Sequence, residues 1–441
     1  MRLHLSLAGL FFGMAAMAAP PTFNQNVLPI LQKNCQGCHR PGEIAPMSLI
    51  SYQDARPWAK AIKAAVATKK MPPWFAEVGH FANDPTLSEA DVKTLSAWAD
   101  NGAPEGNLKD APPPIHFQDG WNIKPDMIVE MPKDFHVAAT GTINYQNFLV
   151  KVNFPEDTWV VAAEMRPGNS KAVHHGRVIV RPPGSTFMAD AIPGEPYETT
   201  SAAAGNPQAG TDLLGKYNPG LGAQSFDLED SAKFIPKGSD LVFNLHYTAV
   251  GTPQTDRSKV GLVFAKHPPK NRYWMSPGTP AAFNLAIPPG DNNAEVVSEV
   301  TVGIDDAKLV YVQPHLHLRG KDYELRLIYP TGETQTVFKG QWNFEWQIGY
   351  QLEKPIVMPK GTRILAIAHF DNSVNNKYNP DPSKQVLWGD QNWDEMQSGF
   401  LGLIFDANTD SSKVFKPSGP SLLPRGTSGP TLAAFTLPPA H

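Results

Sequence analysis

Only two cysteines occur in this 441-residue chain, and they stand three positions apart in Cys35-Gln36-Gly37-Cys38-His39. Every other part of the molecule must therefore be held by packing and hydrogen bonds, with no disulfide staple. Cys-x-x-Cys-His is the attachment pattern for a c-type haem: two thiols add to the haem vinyls and the adjoining imidazole takes an axial position on the iron. The competing reading is a disulfide or redox Cys-x-x-Cys. The adjacent histidine, the absence of other thiols and the start of the chain all favour haem. Arg2 precedes an apolar run over residues 5–14 that leads into Ala16-Met17-Ala18, the arrangement of a secretory signal peptide over residues 1–18. Its apolar core is shorter than the ~20 residues of a membrane span, and no later segment approaches that length. The expected mature protein is periplasmic or secreted, with no membrane span.

Around the thiol pair the pattern is helical. Val27, Leu28 and Leu31 form an i, i+1, i+4 stripe, and residues 56–70 place Trp58, Ile62 and Val66 four apart. A third helix is predicted from Ser88 as N-cap, with Asp91 three residues on, through Val92, Leu95 and Trp98 to the stop at Asn101-Gly102. Helix, Cys-x-x-Cys-His loop, helix, helix resembles a class I cytochrome c over residues 19–106. That resemblance implies one covalent haem c held by Cys35 and Cys38, with His39 on one face of the iron. A thioether is the usual sixth ligand of an electron carrier. Met71 is preferred, because Pro72 and Pro73 stop the preceding helix and stiffen the loop that presents it. Met47 is the alternative, held nearer the proximal side by its short distance in sequence; core packing would also explain it. His80, alone in a loop, is read as solvated.

Beyond residue 106 the character changes. Gly 35 and Pro 43 together make 78 of 441 residues, about 18%, enough for loop-rich β structure and below the ~25–30% of low-complexity chains. A Pro-rich linker is predicted over residues 107–120. After it, β-branched and aromatic runs such as 148–152, 159–163, 177–180, 241–247 and 309–312 alternate with Pro, Gly, Asn and Asp clusters. The expected architecture is multidomain: a small all-α unit, then two all-β antiparallel sandwiches, jelly-roll-like, over residues 121–270 and 271–410, with an extended tail over 411–441. A net charge of −4 with no basic block excludes the positive footprint of a nucleic-acid binder.

The histidines of the β region are clustered. His174-His175, His246 in Asn-Leu-His-Tyr, and His315-Leu-His317 are five of the thirteen in the chain. Alternate residues of a strand share a face, so His315 and His317 can chelate one ion from a strand over residues 312–318. His174 and His175 can do so only if their strand bulges or twists. Hydrogen-bonded core or surface histidines are the alternative in each case.

Taken with Asp394-Glu395-Met396, these contexts resemble the copper type II, ascorbate-dependent monooxygenases, the family of peptidylglycine-hydroxylating and dopamine β-monooxygenases, over residues 121–406. The resemblance implies two mononuclear copper sites. His174, His175 and His246 would hold an electron-transfer copper in the first half; His315, His317 and Met396 would form the catalytic, O2-activating site in the second. In that family a substrate C–H bond is hydroxylated with O2 while the second copper supplies an electron across a solvent-filled cleft. Imidazole suits both copper oxidation states and a thioether favours Cu(I).

The chain departs from the family in two respects. It lacks the family's disulfides, and Gln313, Ser398 and Phe400 replace the Arg, Asn and Tyr with which peptide-amidating members bind a peptide carboxylate, so a C-terminal glycine peptide is not expected as substrate. His369 is read as structural, and His116, His136 and His267 as solvated. Trp388, Trp393 and Tyr378 are read as core or cleft wall. The expectation is an exported copper monooxygenase acting with O2 on a small molecule, its electrons entering through the fused haem from a redox protein or an ascorbate-like reductant. The alternatives are a non-catalytic electron-transfer or copper-binding protein and a zinc hydrolase. The last lacks a carboxylate beside the histidines and leaves the haem motif unexplained.

Overall fold

The computed structural model describes residues 19–43, 45–117, 120–198, 212–218, 221–276, 278–389 and 391–417. The predicted signal peptide and the tail beyond residue 417 lie outside the described residues. The fold is mostly β, with few and short helices; a self-contained all-α unit is not evident.

The helices lie at Leu28–Asn34, Tyr52–Ala55, Ala59–Ala67 and Glu89–Asp100. Ser88 caps the last, its hydroxyl accepting the Asp91 N–H at 3.1 Å, which satisfies one of the donors a helix start leaves open. Val27, Leu31, Ile62, Val66, Leu95 and Trp98 form their shared core. Trp58 departs from its expected stripe: it is 42% exposed, because Arg56–Trp58 is a 3-10 turn and the helical spacing of four begins only at Ala59.

Two sheets build the first β half. A five-stranded sheet runs in the order Pro196–Glu198, Gln146–Val150, Asp240–Tyr247, Val173–Arg181, Leu213–Tyr217. It packs against a nine-stranded sheet through a core that includes Phe148, Met165, Val178, Leu214, Phe243 and Leu262. That larger sheet does not stop at the half-way point. Ser231–Ile235 pairs in parallel with Asn271–Met275, Ser231 opposite Asn271 and Ala232 opposite Arg272, and the sheet continues through Ser398–Asp406 and Ala307–His315. The buried Lys233–Asp212 ion pair at 2.7 Å sits at this join, and Asp212 also accepts the Met275 N–H at 3.2 Å. A division near residue 270 thus falls inside a shared sheet.

The six-stranded sheet of the second half is closed at both edges by distant pieces of chain. Ala76–Val78, from the N-terminal segment, pairs with Thr334–Gln341, and Phe415–Pro417 pairs with Ala294–Val302. Covering edges in this way hides the unpaired N–H and C=O rows that invite aggregation. Gly340 permits the first closure, since a Cβ there would stand 2.3 Å from the Phe75 carbonyl oxygen. Trp74 and Phe81 flank the added strand; Trp74 packs edge-on against Tyr350 and Phe81, and Phe81 lies tilted against Tyr350. No helix among the described residues is long and apolar enough to cross a membrane.

Candidate metal centres and the thiol pair

His246 lies directly opposite His175 in the antiparallel pairing of Asp240–Tyr247 with Val173–Arg181, and the next pair is Tyr247 with Val173. His174 is therefore the extra residue of a β-bulge. The bulge turns adjacent histidines toward the same side, as a shared ion requires. Nitrogen atoms from His174, His175 and His246 all lie within 4.8 Å of one another, and the Nδ1 atoms of His174 and His175 are 3.1 Å apart. Tyr145 holds two of the rings: its hydroxyl is 2.9 Å from His175 Nε2, and its ring stacks on His246 with centroids 4.7 Å apart and 20° between planes. His246 Nδ1 is buried with no hydrogen-bond partner among the described residues. Burial holds all three imidazoles below their usual pKa, His246 at about 3. Three imidazoles kept neutral, with nitrogens this close, could serve as a donor set for a cation.

The second pair is positioned differently. The strand expected over 312–318 ends at His315, which is paired with Ser398; His317 lies beyond it. Glu395 keeps the two rings together. Its buried carboxylate accepts the N–H of His317 at 2.9 Å, of Arg319 at 2.6 Å and of Met396 at 3.1 Å. The segment that carries Met396 is thus tied to the end of the His-x-His strand, with the imidazole centroids 5.3 Å apart at 89°. Arg319 braces this junction by donating to Asn372, Asn379 and the Trp393 carbonyl. Burial raises Glu395 to about 7, against the opposing pull of the three N–H donors and the Arg319 charge.

His315 Nδ1 stands 2.9 Å from Gln347 Oε1. An amide oxygen only accepts, so Nδ1 carries the proton and Nε2 presents a lone pair. That Nε2 is buried without a hydrogen-bond partner among the described residues. Gln347 is in turn fixed through its backbone carbonyl, which accepts from Gln313 Nε2 at 2.8 Å and from Asn218 Nδ2 at 3.3 Å.

The two groups face one another. Phe344, from the second half, stacks on His174 at 5.7 Å, and a positive charge on His315 would lower His175 further, as one on His317 would lower His246. His175, His246, His315 and His317 are all buried.

Cys35 and Cys38 are free and half-buried. Burial pushes the Cys35 thiol up to about 12, with Cys38 adding to the shift, and burial followed by the Glu43 charge also raises Cys38. A redox Cys-x-x-Cys needs a depressed thiol pKa, so this environment does not suit one. His39 Nδ1 lies 3.3 Å from the Met47 carbonyl oxygen, which assigns the proton to Nδ1 and frees Nε2. Met47 packs against the helical core, and Met71, half-buried, follows the last turn of Ala59–Ala67, its N–H bonded to the Ala65 carbonyl at 3.2 Å.

The thiol loop is clamped to the first β half. Arg166 pairs with Glu43 at 2.8 Å and with Glu164 at 3.0 Å, and Arg40 donates to Asn122 at 3.1 Å. Cys38 shares a cleft with Glu43, Glu164, Arg166 and Tyr217. Tyr217 lies opposite Gly176, the neighbour of His175.

Of the remaining residues singled out in the sequence, His369 bonds to Asp322 at 2.7 Å on the sheet surface, a structural pair. His80, His116, His136 and His267 are exposed. Trp393 and Tyr378, expected in a core or cleft wall, are 48% and 49% exposed. Tyr145, Gln347, Arg177 and Lys216 carried no sequence signal, since none lies in a motif.

No family model matches the chain, and no curated protein is significantly similar to it. Solved structures that align with it include the major capsid protein P2 of bacteriophage PM2, at 8% identity and a TM-score of 0.28, over 64% of this chain and 99% of that one. PNGase F, a glycosylasparaginase from Flavobacterium meningosepticum, aligns at 10% identity and a TM-score of 0.26, over 63% of this chain and 97% of that one. The infectious bursal disease virus VP2 subviral particle aligns at 8% identity and 0.22, over 66% and 74%. Likenesses of this size carry no argument about function.

Proposed function

We propose that the protein is an exported, periplasmic or secreted, copper-dependent monooxygenase that hydroxylates a C–H bond of a small molecule with O2, with electrons delivered through a covalently attached haem. The observation that carries this reading is the bulge at His174, which gathers nitrogens of His174, His175 and His246 within 4.8 Å. The orphaned His315 Nε2 supports a second copper, to be completed by His317 and Met396. Two free thiols and a His39 whose Nε2 is unprotonated suit a haem c, with Met71 as the sixth ligand and the N-terminal helices as a cytochrome c-type unit. When bound, the haem supplies one-electron storage, and copper supplies one-electron transfer and reaction with O2.

The chain's own contribution is positional. Tyr145 orients His175 and His246, Gln347 sets the His315 tautomer, and Glu395 fixes the Met396 segment against His317. The Arg166–Glu43–Glu164 network docks the thiol loop beside Tyr217, on the side of the sheet that leads to His175, which supports electron entry at the first histidine group. An external redox protein or an ascorbate-like reductant would recharge the haem.

The test is the copper-to-haem-iron ratio of the exported, copper-reconstituted protein, by elemental analysis. Two coppers per haem, falling to one in His315→Ala, is the expected result. Absence of specific copper would remove the enzyme reading and leave a cytochrome joined to a binding module.

A further inference from the structure

Two lysines are fully buried among the described residues of the β region, and the fold treats them differently. Lys233 is neutralised by Asp212 at 2.7 Å. Lys216 is 3% exposed, and among the described residues its ammonium donates only to Gln313 Oε1, at 2.8 Å. Its Nζ lies 3.7 Å from the centroid of the Phe400 ring, and Arg177 approaches the same ring at 5.0 Å. Among the described residues neither Lys216 nor Arg177 has a carboxylate within ion-pair distance, and the Arg177 guanidinium makes no hydrogen bond. An ammonium has three donors and a guanidinium five. Burial, with the Arg177 and Lys233 charges, holds Lys216 well below the usual lysine range, and an anion set between Lys216 and Arg177 would offset that cost.

These cations stand beside the second histidine pair. Phe400 lies opposite Gln313 in the strand register, Gln313 is two residues before His315, and the Phe400 and His315 rings are 6.0 Å apart. Arg177 is opposite Lys216 in the strand register and reaches the same Phe400 ring that lies beside His315. Arg177 itself is only half-buried.

We propose that Lys216 and Arg177 form an oxyanion-recognition site and that the substrate is a small organic carboxylate. Its carboxylate accepts from the Lys216 ammonium and the Arg177 guanidinium, its apolar part lies on Phe400, and its remaining carbons extend toward His315 and His317. The substrate assignment rests on the monooxygenase reading; the anion site itself does not.

The site is tested on the full-length, copper-free protein by calorimetric titration with benzoate, with its neutral counterpart benzamide, and with inorganic phosphate. Benzoate should bind and benzamide should not. Lys216→Gln and Arg177→Gln should each weaken benzoate binding about tenfold or more, the loss expected for one charge-assisted hydrogen bond, while Lys339→Gln, on the other sheet, should not change it. Circular dichroism checks each variant; if Lys216→Gln does not fold, Arg177→Gln decides. Equal binding of benzoate and benzamide, or wild-type benzoate affinity in the variants, overturns the site. Phosphate binding as tight as benzoate overturns the carboxylate assignment. Because no copper is present, failure here is distinct from a failed copper-to-iron ratio.

Discussion

Gln347→Leu tests the geometry of the second site with little change in shape. The wild-type amide accepts the His315 Nδ1 proton at 2.9 Å, in a buried setting. Leucine has similar volume and no acceptor, and the backbone carbonyl that receives Gln313 and Asn218 is retained. In the variant, the tautomer that offers Nε2 to a metal must bury an unpaired Nδ1–H, at a cost of about 1–3 kcal/mol. The other tautomer places its proton on Nε2 and closes the site. Either way, Cu(I) affinity at the His315 site should fall by about 5- to 150-fold, within the range seen when a group orienting a histidine ligand is lost. The assay is competition for Cu(I) against a chromophoric chelator, with the His174, His175 and His246 group as internal reference. Gln347→Glu, whose oxygens can only accept when ionised, should keep near-native affinity. In the metal-free protein, the nitrogen chemical shifts of His315 should report Nδ1 protonated in the wild type and a mixed population in Gln347→Leu. Two equal wild-type affinities in Gln347→Leu, or an unchanged tautomer, would refute the reasoning.

Other expectations follow from single contacts. Tyr145→Phe keeps the stacking on His246 and removes the hydroxyl 2.9 Å from His175 Nε2; Cu(I) should bind a few-fold more weakly at the first site, with the second unchanged in the same competition assay. Lys233→Met leaves Asp212 buried and should destabilise by about 3–5 kcal/mol in urea titration, while Lys233→Met with Asp212→Leu should recover most of that loss. Gly340→Ala places a Cβ 2.3 Å from the Phe75 carbonyl oxygen; hydrogen exchange should rise over Ala76–Val78, with the rest of the second half protected. Burial raises Asp256 above its usual 3.8 although Ser258, Tyr247 and the Asn169 N–H bond to it. The folded state therefore keeps a proton that the unfolded chain has released, so stability should decline as pH rises from about 3.8 through the folded pKa. Asp256→Asn should flatten that part of the stability profile.

Features legible in the sequence were those carried by short-range patterns. The thiol-histidine motif, the Ser88 cap, the rhythm of short strands and the His-x-His pair depend on neighbours within a turn or two of chain, where periodicity is set by backbone geometry. Even the need for a bulge beside His175 followed from the alternation of a regular strand. Trp58 was misplaced because a local 3-10 turn shifts the phase of that periodicity.

Tertiary structure decided which faces meet. Nothing local says that Ser231–Ile235 joins Asn271–Met275, that Ala76–Val78 closes a sheet edge near Gly340, or that Phe344 covers His174. The groups that orient the histidines come from far along the chain: Tyr145 is 30 residues from His175, Gln347 is 32 from His315, and Glu395 is 78 from His317. Lys216 and Arg177, which have no carboxylate partner among the described residues, acquire meaning only when the first sheet is laid against Phe400. A residue's type states which bonds it can make, but its burial and its partners are properties of the packed sheets. Those depend on long-range register, which short-range periodicity does not encode.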